Sequence, residues 1–229
     1  YNTAVGDSAG NSVTTGVNNV LLGALSGDAL TDADHNVAIG RSALGQDTLG
    51  SRTIAIGFQA LAVQNFTTAT NSYNIAIGYN AGVSLTTGTN TTIVGSLAGD
   101  ALTDGDFNVA LGYGSLSSDT RGSRAVAVGY LALQDQNLTT SSNSNNTAVG
   151  YAAGTNVTTG VNNTLIGSEA GEDMTTGTSN TAVGVAAMGS ANVTGDSNTA
   201  VGAAAMISLS SGTNNTAIGH DAGRSGSPG

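Results

Sequence analysis

The chain of 229 residues contains no cysteine and no tryptophan, its five basic residues are all arginine, and its single proline is Pro228. Without cysteine there are no disulfides and no thiolate metal sites, and cysteine usage leaves the redox compartment open. Charge is scarce as well: charged residues make up 9% of the chain, and fifteen acids against five arginines leave a net charge of −10. That sign repels phosphate backbones and anionic membrane surfaces, so no nucleic acid partner is expected. No apolar run approaches the roughly 20 residues of a membrane-spanning helix, so no membrane insertion is expected of this segment.

What is abundant is glycine, with 34 residues, together with 39% hydrophobic residues. Glycine at that level suggests a linker, but the aliphatics recur on a fixed beat, which indicates an ordered array. The motif Asn-x-Ala-aliphatic-Gly recurs with its glycine at Gly6, Gly23, Gly40, Gly57, Gly78, Gly95, Gly112, Gly129, Gly150, Gly167, Gly184, Gly202 and Gly219. Successive glycines are 17 residues apart except for two intervals of 21 and one of 18, and four coils make a super-repeat of 72 residues. Residues 1–72 and 73–144 share 40 identities without a gap, which points to duplication of a four-coil block. The chain is expected to be a repetitive β-roll over 1–223, in super-repeats 1–72, 73–144 and 145–223, with 224–229 as a linker or tail. Because it opens at Tyr1 inside a repeat, it reads as a segment of something longer.

The columns of the repeat carry the physics. The residue before the anchor glycine is always Val, Ile or Leu, and the one two places earlier is Thr, Val or Ile. β-Branched residues at period two mark a short strand with one buried face. On this reading the structural core is Val5, Leu22, Ile39, Ile56, Ile77, Val94, Leu111, Val128, Val149, Ile166, Val183, Val201 and Ile218. The opposite face has Ala in ten copies: Ala4, Ala38, Ala55, Ala76, Ala110, Ala127, Ala148, Ala182, Ala200 and Ala217. Leu21, Ile93 and Leu165 fill that column in the remaining coils. It is never charged, so it is expected to pack against partner chains.

Four residues after the anchor glycine, residues run Gly10, Gly27, Leu44, Leu61, and the alternation of two small and two large recurs in the next two blocks. Stacked coils whose interior is filled by neighbouring layers produce such a pattern. Asn opens ten motifs and gives way to Thr53, Thr91 and Ala125 in the others. An Asn repeated at one corner can bond its own coil and the Asn above and below, a scaffold role.

At Asn36-Val37-Ala38-Ile39-Gly40-Arg41-Ser42-Ala43 the sequence resembles the strand motif of the head domains of YadA-like trimeric autotransporter adhesins. The resemblance runs to about Gly223, and similar repeats occur in phage tail fibres and in large surface proteins that end in an intramolecular chaperone. It implies an all-β fold, a left-handed parallel β-roll or β-solenoid of about thirteen 17-residue coils. It also implies a homotrimer, parallel and in register, with ligand binding spread over the surface. The coils here are longer than the family's, so outer loops such as Ser12–Gly16 are longer too.

Candidate chemistry is sparse. A lone histidine makes no triad, and His35 and His220 have no nucleophile and orienting acid beside them in the sequence, so no enzymatic activity is expected. Oxygen ligands alternate at Asp32, Asp34 and Asn36 and at Asp104, Asp106 and Asn108, a spacing that suits calcium. Neither stretch continues with the glycine and distal glutamate of an EF-hand, and a solvated acidic turn is the stronger reading. No cofactor is expected. Arg52 and Arg124 follow Asp47 and Asp119 by five residues, a spacing suited to local ion pairs. The loops Gln64–Ser72 and Gln136–Ser144 lie where two coils gain four residues, and they are candidate contact surfaces for a glycan or a neighbouring fibre.

The function expected is a structural or adhesive segment of a trimeric extracellular fibre, on a bacterial surface or a virion, extending the fibre and mediating attachment to a host or cell surface. Calcium or glycan binding by the repeat is the alternative. Ice binding is a distant third, because Thr14-Thr15, Thr86-Thr87 and Thr158-Thr159 recur only every fourth coil.

Overall fold

The computed structural model describes residues 1–224; of the linker or tail expected at 224–229, residues 225–229 lie outside the described residues. The fold is an all-β parallel solenoid of about thirteen turns, with no helix among the described residues. The chain divides into two compact units, Tyr1–Ala110 and Leu111–Gly229. In the first unit β1 (Thr3–Val5), β2 (Val20–Leu22), β3 (Val37–Ile39), β5 (Ile54–Ile56), β7 (Ile75–Ile77) and β8 (Thr92–Val94) pair in that order. A small side pair joins β4 (Gly50–Ser51) to β6 (Thr70–Asn71), where the first long coil folds back on its neighbour. The strand β9 (Val109–Leu111) spans the boundary.

The second unit repeats the plan with β11 (Val126–Val128), β13 (Thr147–Val149), β14 (Thr164–Ile166), β15 (Thr181–Val183), β16 (Thr199–Val201) and β17 (Thr216–Ile218). Its side pair is β10 (Gly122–Ser123) with β12 (Ser142–Asn143). Pairing is parallel and keeps every column in line, as in Thr3↔Val20, Ala4↔Leu21 and Val5↔Leu22.

Each strand of the main sheet lasts three residues because the anchor glycine ends it. Those glycines have φ between +124° and +143°, which side-chain-bearing residues rarely adopt. A Cβ at Gly23 would lie 2.8 Å from the carbonyl carbon of Gly40, so the coils also approach too closely there for any side chain.

The structure reverses the expected faces of the strand. The alanine column points into the coil: Ala38, Ala55, Ala76, Ala110, Ala127, Ala148, Ala182 and Ala200 are fully buried, and Ala217 nearly so. Ala4, in the first coil, is exposed. The column assigned to the core, Val5, Leu22, Ile39, Ile56, Ile77, Val94, Leu111, Val128, Val149, Ile166, Val183, Val201 and Ile218, is half-buried or exposed throughout. Leu21 is 1% exposed and its neighbour Leu22 is 45%.

The physical reason lies in the turns. Leu44, Leu61, Leu116, Leu133 and Met188 after the anchor glycine, with Leu30, Leu85, Leu102, Val157 and Met174 further on, are all fully buried or nearly so. They fill the interior, and the strand opposite has room only for alanine. Where the strand residue is large, the turn residue is glycine: a Cβ at Gly154 or Gly171 would come within 2.6 or 2.7 Å of a Leu165 methyl. Large and small residues do alternate between layers, as the sequence indicated, with Leu21, Ile93 and Leu165 inside.

The asparagine ladder runs along the inner corner. Asn19 N and Asn36 N donate to Oδ1 of the Asn one coil before, each at 2.9 Å. The side-chain amides of Asn2, Asn19 and Asn36 donate to the carbonyls of Gly16, Ala33 and Gly50 at 2.7–2.9 Å. Each Asn therefore satisfies two backbone groups that a buried corner would otherwise strand.

Candidate functional site

The outer strand face is the most distinctive exposed surface. Two outward columns flank each inward residue, the first of Thr, Val or Ile and the second of Val, Ile or Leu, and neither contains a charged residue. Parallel sheets are ordinarily covered on both faces. Here Val5, Val20, Leu22 and Ile77 in the first unit, and Val149, Ile166 and Ile218 in the second, are among the exposed large hydrophobics. The residue after the anchor glycine widens this band with aromatic rings. Phe58 and Tyr79 stack at 5.5 Å, while Tyr113, Tyr130 and Tyr151 form a nearly parallel stack with centroids 5.4–5.5 Å apart. The Arg41 guanidinium lies 5.8 Å from the centre of the Phe58 ring.

The residues with calcium-like spacing are engaged in hydrogen bonds. Asn36 and Asn108 are buried, and the Asn36 oxygen accepts from Thr53 N at 2.9 Å. Asp34 Oδ1 accepts from Val17 N at 2.7 Å, and Asp32 Oδ1 from the Thr15 hydroxyl at 2.5 Å. Asp106 Oδ1 takes Thr89 N at 2.7 Å, and Asp104 lies beside the Thr103 hydroxyl. These acids accept hydrogen bonds from backbone and hydroxyl donors, most of them on the preceding coil. Among the described residues no group of three or more His, Cys, Asp or Glu could hold a metal. His35 faces the Asn18 amide, and His220 lies 3.2 Å from Asp221.

The ion pair expected of Asp47 is replaced by a buried clamp. Asp47 Oδ1 accepts from Gly50 N and Phe66 N, both at 3.0 Å, and Oδ2 from the Gln64 amide at 2.6 Å. Gln64 Oε1 in turn accepts from the Asn74 amide at 2.9 Å, which joins the clamp to the asparagine ladder. Arg52 instead lies 6.0 Å from the centre of the Tyr73 ring. Burial pushes the Asp47 carboxyl above its ordinary value, against the opposing pull of Gln64 and of the Phe66, Gly50 and Thr48 amides. Asp119, Gly122, Gln136 and Leu138 repeat the arrangement in the second unit. Each long loop is thus pinned at its base by Gln64 and Phe66, or by Gln136 and Leu138. Only short stretches, including Thr67–Ala69 and Thr139–Asn143, are exposed. The sequence signal for the clamp was the recurrence of Asp and Gln 17 residues apart ahead of each long loop.

Among the described residues no helix is long and apolar enough to cross a membrane. No family model, curated protein or solved structure matches the chain.

Proposed function

We propose that the chain is a structural and adhesive segment of an extracellular fibre, on a bacterial surface or a virion, built from copies that associate through the outer strand face. The observation that carries this is the absence of charge from two outward columns, one of Val, Ile and Leu and the other of Thr, Val and Ile, on a parallel sheet whose other face is already full. A patch of that kind on a soluble chain marks an interaction surface. The partner that fits it is another copy, because an identical array supplies the same spacing between strands. The net charge of −10 repels such a copy everywhere except along these columns, which exclude charge. The resemblance of the motif to trimeric autotransporter heads supplies left-handed coils, parallel order and the number three.

Sedimentation of the wild type, Val20→Arg and Val128→Arg tests the proposal. The wild type is expected to sediment as an oligomer that the arginine variants dissociate while remaining folded. A wild type that stays monomeric at micromolar concentration sinks it.

One observation favours a second reading. From β13 to β17 five consecutive strands present Thr outward at the first position and Val or Ile at the third. A regular row of hydroxyl and methyl groups suits ordered water, and absence of thermal hysteresis would dispose of ice binding.

A further inference from the structure

We infer that a recess on the first unit, built from residues outside the strands, binds a hexopyranose. Its volume is about 270 Å³, and Leu25, Asp28, Gln46, Gln59, Val63 and Val83 form its walls around Ser42, Gly45 and Ala62. None of these residues belongs to a strand.

The recess follows from two adjacent columns of the repeat. In the column two residues after the anchor glycine, Leu25, Ser42 and Gln59 stand on successive coils, all with φ between +54° and +58°. In the column three residues further on, Asp28, Gly45 and Ala62 are in line, followed by Val83. Both columns shrink at the same coil, where Ser42 and Gly45 face each other between larger neighbours. The Asp28 carboxylate leans over the gap: a Cβ at Gly45 would lie 3.4 Å from Asp28 Oδ1 and 3.3 Å from the Ser42 carbonyl oxygen. The scaffold does not demand these residues. Seventy-two positions on, Leu97 and Asp100 recur, but Gly45, Gln59 and Ala62 become Ser117, Leu131 and Gln134.

The chemistry selects the ligand class. One carboxylate, two carboxamides and a hydroxyl offer acceptors and donors to a ring of hydroxyls, while Leu25, Ala62, Val63 and Val83 offer an apolar wall to a sugar's C–H face. The volume falls just below the range of small-ligand sites, about 300–1,000 Å³, which suits no more than one sugar ring. Asp28 and the acidic chain disfavour an anion, and a single carboxylate is too few for a hard cation.

The test is titration of ¹⁵N-labelled full chain with methyl β-D-galactopyranoside, methyl β-D-glucopyranoside and methyl α-D-mannopyranoside, read by amide shifts. Saturable shifts at Gly45, Gln46, Gln59 and Ala62 are expected with at least one glycoside. Gly45→Leu should abolish them by filling the recess, and Asp28→Asn should weaken binding about tenfold. Matching thermal melts confirm that the variants fold; if Gly45→Leu does not, Gln46→Ala and Gln59→Ala carry the same expectation of weakened binding. No saturable shift at about 50 mM of any glycoside overturns the inference. Shifts that persist in Gly45→Leu overturn it too, as does tighter binding of butylamine, which would assign the recess to a basic side chain.

Discussion

Leu165 and Ile166 are consecutive residues on opposite faces of β14, and truncating each separates inside from outside. Leu165 is fully buried, whereas Ile166 is 40% exposed in the single chain. The Leu165 methyls occupy the space that Gly154 and Gly171 leave open. Leu165→Ala therefore opens a cavity that neither glycine can fill, and backbone pairing on both sides resists collapse. Large-to-small changes of this kind cost about 2–5 kcal/mol. Ile166→Ala removes partly solvated methyl groups, worth about 1 kcal/mol in the isolated chain from the area they cover. Urea denaturation followed by circular dichroism, at several protein concentrations, measures both. The Leu165→Ala loss should not depend on concentration. The Ile166→Ala loss should be small in dilute protein and grow where the chains associate. Equal losses, or a larger loss for Ile166→Ala in dilute protein, would refute the assignment of faces.

Other consequences can be checked in the same way. Asp47 binds its proton more tightly folded than unfolded, because burial raises its value above 3.8. Its contribution to stability is therefore fully present below about pH 3.8 and is lost as pH rises through the folded value. The stability of the wild type relative to Asp47→Asn should fall over that window, and a rise would mean that the four opposing hydrogen-bond donors outweigh burial. Asn163→Ala leaves Asn180 N without its acceptor at 2.9 Å and the Gly177 carbonyl without its donor at 2.8 Å. At about 1–3 kcal/mol for each stranded group, the midpoint of urea unfolding should drop clearly; an unchanged midpoint would contradict the ladder.

The fold was legible because thirteen copies in phase leave one architecture open, and the asparagine ladder because the same residue recurs at the same corner. The direction of the strand faces was misread on hydrophobicity. Hydrophobicity alone puts Val, Ile and Leu inside and Ala outside, whereas a narrow coil already filled from its turns has room only for small residues. The correct signal was volume complementarity: Leu21, Ile93 and Leu165 occur in the coils whose turns carry Gly27, Gly99 and Gly171. The Asp47 clamp was missed because sequence spacing favoured Arg52, five residues away, over Gln64 on the next coil. The recess at Gly45 depends on two columns becoming small on the same coil, which is invisible until the turns are placed side by side.

The absence of cysteine provides the most direct test of the outer face as the association surface, since any introduced thiol is the only one in the chain. Thiol-reagent labelling of Leu165→Cys, Ile166→Cys and Thr68→Cys in native protein compares the interior, the outer face and a loop tip. Thr68→Cys should label at every concentration, and Leu165→Cys only after denaturation. Ile166→Cys should be protected in concentrated protein and become reactive on dilution as copies separate. If Ile166→Cys labels as fast as Thr68→Cys at every concentration, no partner covers the face.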